Sequence, residues 1–277
     1  MHKILIAEDD LTTRILVEEL LKKEGYDVDG VENGQEALEL LSKSRYDLVI
    51  TDIHMKPVSG LELLSHLKDR PSSPRVVVMT GDDTPETLLK AVQEQAFHYL
   101  HKPIDTKSLV SLVEDALSAR EAPIEIISAE PHWVELLVPC EQSAADRIQN
   151  FMQQLKSDLK QEIREEIGMA FHELLANAIE WGGKFDPSRK INIAYLRFDR
   201  MILYRIRDPG TGFNTENLPH AAVSNPDNPV AHVEVRNEKG LRPGGFGIKM
   251  VQIMVDELLY NETHNEVVFV KYLDEGD

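Results

Sequence analysis

The sequence holds 277 residues, 42% of them hydrophobic and 28% charged, with a formal net charge of −18 at pH 7. That length accommodates one large domain or two ordinary ones, and the negative charge repels nucleic acid, which needs a basic footprint. The single cysteine, Cys140, excludes an intramolecular disulfide and reads as a small apolar residue.

The apolar run from Ile4 to Ala7 meets Glu8, Asp9 and Asp10 at once, so no secretion signal is expected. No window reaches the roughly 20 apolar residues of a membrane span. A cytoplasmic protein, without membrane or nucleic-acid partners, is the expectation.

In chain order, strands are predicted at 3–7, 27–31, 47–51, 75–80 and 97–100, and helices at 11–24, 34–42, 61–68, 85–95 and 105–119. The strands are short and apolar. The helices repeat apolar residues at helical spacing, as Leu109, Leu112, Val113, Ala116 and Leu117 do in the last. Five strands each followed by a helix imply an α/β, doubly wound, five-stranded parallel sheet. Pro123 then stops the pattern. Strands are predicted at 124–127 and 133–138. A helix from about 143 carries the stripe Ile148, Phe151, Met152, Leu155 and Leu159. A second helix, 162–181, runs to Gly182 and Gly183, a C-cap signal. Strands at 191–197 and 201–207, a Pro-, Asn- and Gly-rich stretch at 208–245, a helix at 247–257 and a strand at 266–272 complete the chain. That second half reads as an α+β two-layer sandwich, with helices on one face of a mostly antiparallel sheet.

In the first half the chemistry gathers at strand ends. Glu8 and Asp9 follow the first strand, Asp52 the third, Thr80 the fourth and Lys102 the fifth. A doubly wound sheet brings such ends into one crevice. Three carboxylates there repel one another unless a cation intervenes, and carboxylate oxygens suit Mg²⁺. Asp52 is a competent nucleophile toward phosphorus, while Lys102 and the Thr80 hydroxyl can neutralise and bind a phosphoryl group. Residues 1–119 resemble the response regulator receiver family through ILIAEDDLTTR, DLVITDIHMKPVSG, VVVMTG and HYLHKP, in that order. The resemblance implies Asp52 as phosphoacceptor and a Mg²⁺ site at Asp9 and Asp52, with Glu8 assisting through water. It implies that Thr80 and Lys102 hold the phosphoryl group, that Tyr99 is the aromatic switch, and that a sensor histidine kinase is the phosphodonor.

In the second half FHELLANAIEWG puts Glu173 and Asn177 four residues apart, on one helix face beside Ala170, Leu174 and Ala178. An Asn beside apolar residues needs partners, and its carbonyl oxygen could bind a metal. DPGTGF follows a strand at 208–213, with Gly210 and Gly212 allowing close ligand approach. RPGGFGIKM at 242–250 runs a glycine-rich loop into a helix N-terminus, an anion site. Together, and with DELLYNETHNEVVFVKYL at the end, these resemble the GHKL ATPase domain over about residues 124–273. Within that group the similarity is to the anti-sigma-factor serine kinases. The resemblance implies ATP and Mg²⁺ as cofactors, Asn177 as the Mg²⁺ ligand, and Glu173 as general base toward a protein hydroxyl. It further implies Asp208 as reader of adenine over Gly210 and Gly212, a phosphate cradle at Gly244, Gly245 and Gly247, and a nucleotide lid at 214–243.

The expected organisation is therefore a receiver at 1–120, a linker at 121–130 and an ATP-binding domain at 131–277. His172 and Trp181 read as structural, and Lys249 as either a phosphate contact or a solvated residue. The function expected is a response regulator whose phosphorylation controls a protein-serine kinase acting on an anti-sigma-antagonist (STAS-type) partner. The alternative is a non-catalytic ATP-binding module that sequesters a sigma factor or other regulator. A homodimer through either domain is compatible with the sequence, which does not fix it.

Overall fold

The computed structural model describes residues 2–68, 73–81, 84–118, 124–212 and 246–274, and the chain divides near residue 121 into two compact units. Among the described residues no helix is long and apolar enough to cross a membrane.

The first unit alternates strands β1 (Lys3–Ala7), β2 (Asp27–Val31), β3 (Leu48–Asp52), β4 (Arg75–Thr80) and β5 (His98–His101) with helices α1 (Leu11–Lys23), α2 (Gly34–Lys43), α3 (Gly60–Lys68), α4 (Pro85–Gln93) and α5 (Thr106–Leu117). The sheet is parallel with order β2-β1-β3-β4-β5. β1, β3 and β4 are almost entirely buried, as expected of strands covered on both faces. Ile4, Ile6, Leu48, Ile50, Val77 and Met79 pack with Val17 and Leu21 of α1 and Leu109, Leu112 and Val113 of α5. Helix starts follow from capping side chains: Asp10 accepts from the Thr13 N–H, Asn33 from Glu36 and Asp105 from Ser108. The strand order reverses between β1 and β3, which opens a crevice at their carboxyl ends.

The second unit contains β6 (Glu125–Glu130), β7 (Trp133–Pro139), α6 (Gln142–Gln154), α7 (Gln161–Asn177), a π-helical turn at Ala178–Gly183, β8 (Lys190–Phe198), β9 (Met201–Arg207), α8 (Gly247–Met254), β10 (Glu257–Tyr260) and β11 (Glu266–Tyr272). The six strands are antiparallel in order β10-β11-β9-β8-β7-β6. Val134, Leu136, Ile193, Tyr195, Ile202, Tyr204, Ile206 and Phe269 are buried at alternating positions. Phe171 of α7 meets Tyr204 at 5.1 Å between ring centroids, and Tyr204 stacks on Phe269 at 4.9 Å. On the opposite parity Arg205 and Asn192 donate to Glu135 at 3.0 and 2.9 Å.

Four expectations need correction. The expected linker over 121–130 is cut short, because Glu125–Glu130 pairs with β7 as an edge strand. The strand expected at 124–127 runs on to Glu130 past a register shift between Ile126 and Ser128, where Ile127 is 54% exposed. The helix carrying Ile148 stops at Gln154, although Leu155 and Leu159 beyond it are still buried. The α-helix expected to reach Trp181 ends at Asn177; six π-helical residues follow, and the left-handed cap is Lys184 with φ 58°, not a glycine. Trp181, expected to pack, is 44% exposed.

Candidate functional sites

In the first unit Glu8, Asp9 and Asp52 bring carboxylate oxygens within 4.8 Å of one another. Glu8 is fully buried and Asp52 nearly so, while Asp9 is exposed. Lys102, just past β5, bridges them: its Nζ lies 2.7 Å from Glu8 Oε2 and 2.9 Å from Asp52 Oδ1. The other Asp52 oxygen accepts the His54 N–H at 2.9 Å. Burial pushes the Glu8 carboxyl above its ordinary range despite the opposing pull of Lys102. Burial works against the Lys102 ammonium, but its bonds to Glu8 and Asp52 prevail and raise it.

Thr80 is buried at the end of β4, one residue beyond the Met79 that pairs with Asp52, and its carbonyl accepts the Lys102 N–H at 2.8 Å. Tyr99 on β5 is buried. Sequence reasoning missed two supports. Arg14 of α1 donates to the Glu8 carbonyl. Gly60 leaves room for the backbone of Asp52, since a Cβ there would stand 2.0 Å from the Asp52 carbonyl oxygen. Asp10, third in the acidic run, is occupied as the α1 cap, and that bond to Thr13 lowers its pKa.

In the second unit Glu173 and Asn177 are half-buried, one turn apart on α7. Gly247, first residue of α8, comes so close to Glu173 that a Cβ would lie 2.3 Å from its Oε2. Phe246, the residue before α8, makes no side-chain cap, and the Glu173 carboxylate lies against the start of that helix. At the far end of the same helical run the π turn reaches Asp208. Asp208 follows β9, is half-buried, and accepts the Gly210 N–H at 2.7 Å. Burial raises its pKa, opposed by that bond and by Arg189.

The Asp208 loop is braced by a turn that the sequence reading passed over. The Asn265 carbonyl accepts the Asp208 N–H at 2.9 Å, and the Asn265 amide donates to the Gly210 carbonyl at 3.2 Å. Gly212 has φ 78°, and a Cβ there would sit 1.5 Å from the Thr263 carbonyl oxygen, so glycine is required twice over. Arg189 donates to the Pro209 carbonyl. His172 is exposed and pairs with Gln149 of α6 at 2.7 Å, and Cys140 is buried. Gly244, Gly245 and the expected lid at 214–243 lie outside the described residues.

Residues 4–114 match the response regulator receiver domain and residues 139–271 the histidine kinase-like ATPase domain. The DNA-binding transcriptional regulator NtrC of Azospirillum brasilense is 36% identical over 120 residues, 43% of this chain and 25% of that protein. The response regulator protein PilR of Pseudomonas aeruginosa is 34% identical over 129 residues, 45% of this chain and 29% of that protein. The chain thus spans between a quarter and a third of the length of these curated relatives. Among solved structures, the chemotaxis response regulator CheY4 of Vibrio cholerae is 26% identical with a TM-score of 0.40, covering 42% of this chain and 99% of that one. What the two matched segments have in common is one polypeptide: the chain carries a response regulator receiver domain followed by a histidine kinase-like ATPase domain.

Proposed function

We propose that the chain is a response regulator in which phosphorylation of Asp52 controls an ATP-dependent protein-serine kinase. The observation that carries the first half is the Glu8–Lys102–Asp52 bridge. It leaves Asp52 buried, oriented by the His54 N–H and next to an ammonium. An Asp52 oxygen attacks the phosphorus of a donor phosphohistidine. The P–O bond forms as the P–N bond breaks, and the imidazole leaves with a proton. Lys102 shifts from carboxylate to phosphoryl oxygen, and the Thr80 hydroxyl donates to another. The buried Glu8, with Asp9 and Asp52, is a donor set suited to Mg²⁺, which supplies charge neutralisation when bound. Tyr99 then senses the altered Thr80 position. Leu11, Ile15 and Leu16, exposed on α1 beside this crevice, offer apolar surface to the histidine kinase. A mass increase of one phosphoryl group with acetyl phosphate, absent in Asp52→Asn, tests this half; an unmodified wild type refutes it.

In the output half, Asn177 would hold the nucleotide's Mg²⁺, and Asp208 would accept from the adenine amino group above Gly210 and Gly212. Gly247, with Gly244 and Gly245, would cradle phosphate at the α8 N-terminus. Glu173 would take the proton from a serine hydroxyl of an anti-sigma-antagonist partner as that oxygen bonds to the γ-phosphorus of ATP and the bond from that phosphorus to the bridging oxygen breaks, releasing ADP. Support comes from Glu173 and Asn177 lying one turn apart against the start of α8. One observation favours the second reading, a module that binds ATP and sequesters a sigma factor or other regulator in the cytoplasm. The Glu173 carboxylate lies against α8 closely enough to serve that helix terminus alone. Labelled ATP with Mg²⁺ and host lysate separates the two. An acid-stable, base-labile label lost in Glu173→Ala means serine phosphorylation; ATP binding without transfer means the module.

A further inference from the structure

Two adjacent glycines, Gly182 and Gly183, end the π-helical turn, and both are buried. Neither has a left-handed backbone, so conformation does not demand glycine. Within a helical turn glycine weakens the structure relative to alanine. Space is the reason they are tolerated, and the two positions face different neighbours. A Cβ on Gly183 would stand 2.3 Å from the Cys140 Sγ, a packing contact in the interior. A Cβ on Gly182 would stand 2.2 Å from Oδ1, 2.3 Å from Cγ and 2.5 Å from Cβ of Asp208.

We propose that Gly182 is a positioning residue for purine recognition: its missing side chain makes the gap in which the Asp208 carboxylate is held to face the nucleotide's amino group. The inference rests on the reading of Asp208 as the adenine acceptor. The carboxylate is clamped on two sides by backbone. Gly210 donates to Oδ1 at 2.7 Å, and a Cβ on Gly210 would lie 2.7 Å from that oxygen and 2.9 Å from Gly182 Cα. Oδ1 is thereby committed to the protein. Among the described residues the hydrogen bond to the Asp208 carboxylate is this one, at Oδ1. π-helical turns insert a residue and recur at functional sites. Here the turn carries the chain from the Asn177 end of α7 to the Asp208 loop and sets a glycine where the two meet.

The test uses calorimetric titration of the full chain with Mg·ATP and with Mg·purine riboside triphosphate, which lacks the amino group. Wild type should prefer ATP by roughly tenfold to a hundredfold, the value of a hydrogen bond to a charged group. In Gly182→Ala the affinity for ATP should fall to that for the analogue, while the analogue's own affinity stays within about threefold. Equal losses for both nucleotides would mean general damage and overturn the proposal. Should Gly182→Ala fail to fold, Gly182→Ala with Asp208→Gly removes the three atoms nearest the new Cβ and should restore the circular dichroism spectrum; a double variant that stays unfolded also overturns it. Asp208→Asn tests the underlying reading separately. If it keeps the ATP preference, or if wild type shows none, Asp208 does not read the amino group and the role of Gly182 falls with it. If Asp208→Asn loses the preference and Gly182→Ala keeps it, only the Gly182 proposal fails.

Discussion

Replacing Lys102 with methionine keeps the aliphatic stem and removes the one charge that joins Glu8 to Asp52. The contacts at 2.7 and 2.9 Å each represent about 6 kcal/mol of attraction at an effective dielectric constant near 20. Desolvation of three buried or half-buried groups offsets much of it. What the variant leaves is two carboxylates, with side-chain exposures of 0% and 5%, facing each other without a cation. Removing one partner of a buried pair costs about 3–5 kcal/mol, and the 24% exposure of Lys102 favours the lower end. About 3 kcal/mol is a factor of roughly 150 in opening equilibrium, readable as faster amide hydrogen exchange in β1 and β3. Two conditions should restore most of it. Millimolar Mg²⁺ replaces the missing charge at the carboxylates. Acidification also helps, because Glu8, already raised by burial, loses still more opposing help without Lys102 and protonates readily. Exchange unchanged at pH 7, or a loss that neither Mg²⁺ nor pH 5 relieves, would refute the claim that the crevice is an electrostatic balance awaiting a cation.

Other consequences follow from the same geometry. Lys156 is fully buried over the Tyr204 ring, 5.6 Å from its centroid, with no hydrogen-bond partner for Nζ among the described residues, and burial lowers its pKa to about 7. The unfolded chain therefore binds more protons between about pH 7 and 10.5, so stability rises with pH across that window. Lys156→Met should abolish that slope and stabilise the second unit at pH 7 by several kcal/mol, because each tenfold loss of proton affinity on burial costs about 1.4 kcal/mol; urea midpoints at pH 7 and 9 check it, and a destabilised variant would contradict it. Gly60→Ala forces a Cβ to 2.0 Å from the Asp52 carbonyl oxygen. It should cost about 1–3 kcal/mol and slow acetyl phosphate labelling of Asp52, whereas wild-type labelling would mean the loop gives way freely. Asp158 receives two bonds from Arg197, at 2.8 and 2.6 Å, which lower its pKa below the ordinary 3.8. Its contribution is present above pH 3.8 and lost as pH falls through the lower folded value. At 49% exposure Asp158→Asn should cost only about 1 kcal/mol, less in high salt, measured as a urea midpoint shift that vanishes in acid.

Much of the receiver was legible because its strands advertise themselves. ILIA, LVIT and VVVMT are apolar runs, and each stops at a chemical residue, so Glu8, Asp52 and Thr80 were placed by the strand ends alone. The second unit was harder where local signals overlap. The i, i+4 pattern of α7 continues into the π turn without a break in hydrophobicity, so the change of helix type leaves no trace in the residues. β10 hides because ELLY is short and follows the apolar α8 after two residues. Lys156 drew no expectation from the sequence, and its burial over Tyr204 is visible only in the folded unit.

The two sites also differ in what builds them. The crevice at Asp52 is built from side chains that are present: three acids, a lysine and a threonine, each of which a sequence displays. The Asp208 pocket is built from side chains that are missing. Gly182, Gly210 and Gly212 each admit another atom at a distance no Cβ would tolerate, and Asn265 fixes the loop with one backbone carbonyl and one side-chain amide, both bonded to backbone groups of the loop. A glycine in a sequence does not say whether it serves a turn, a close approach or neither, whereas an aspartate at a strand end limits the choices. Substitutions at the first site should therefore act through charge and respond to pH, salt and Mg²⁺. Glycine substitutions at the second act through volume, so their effect on folding should be indifferent to pH and salt, a contrast that the Lys102→Met and Gly182→Ala variants measured side by side would expose.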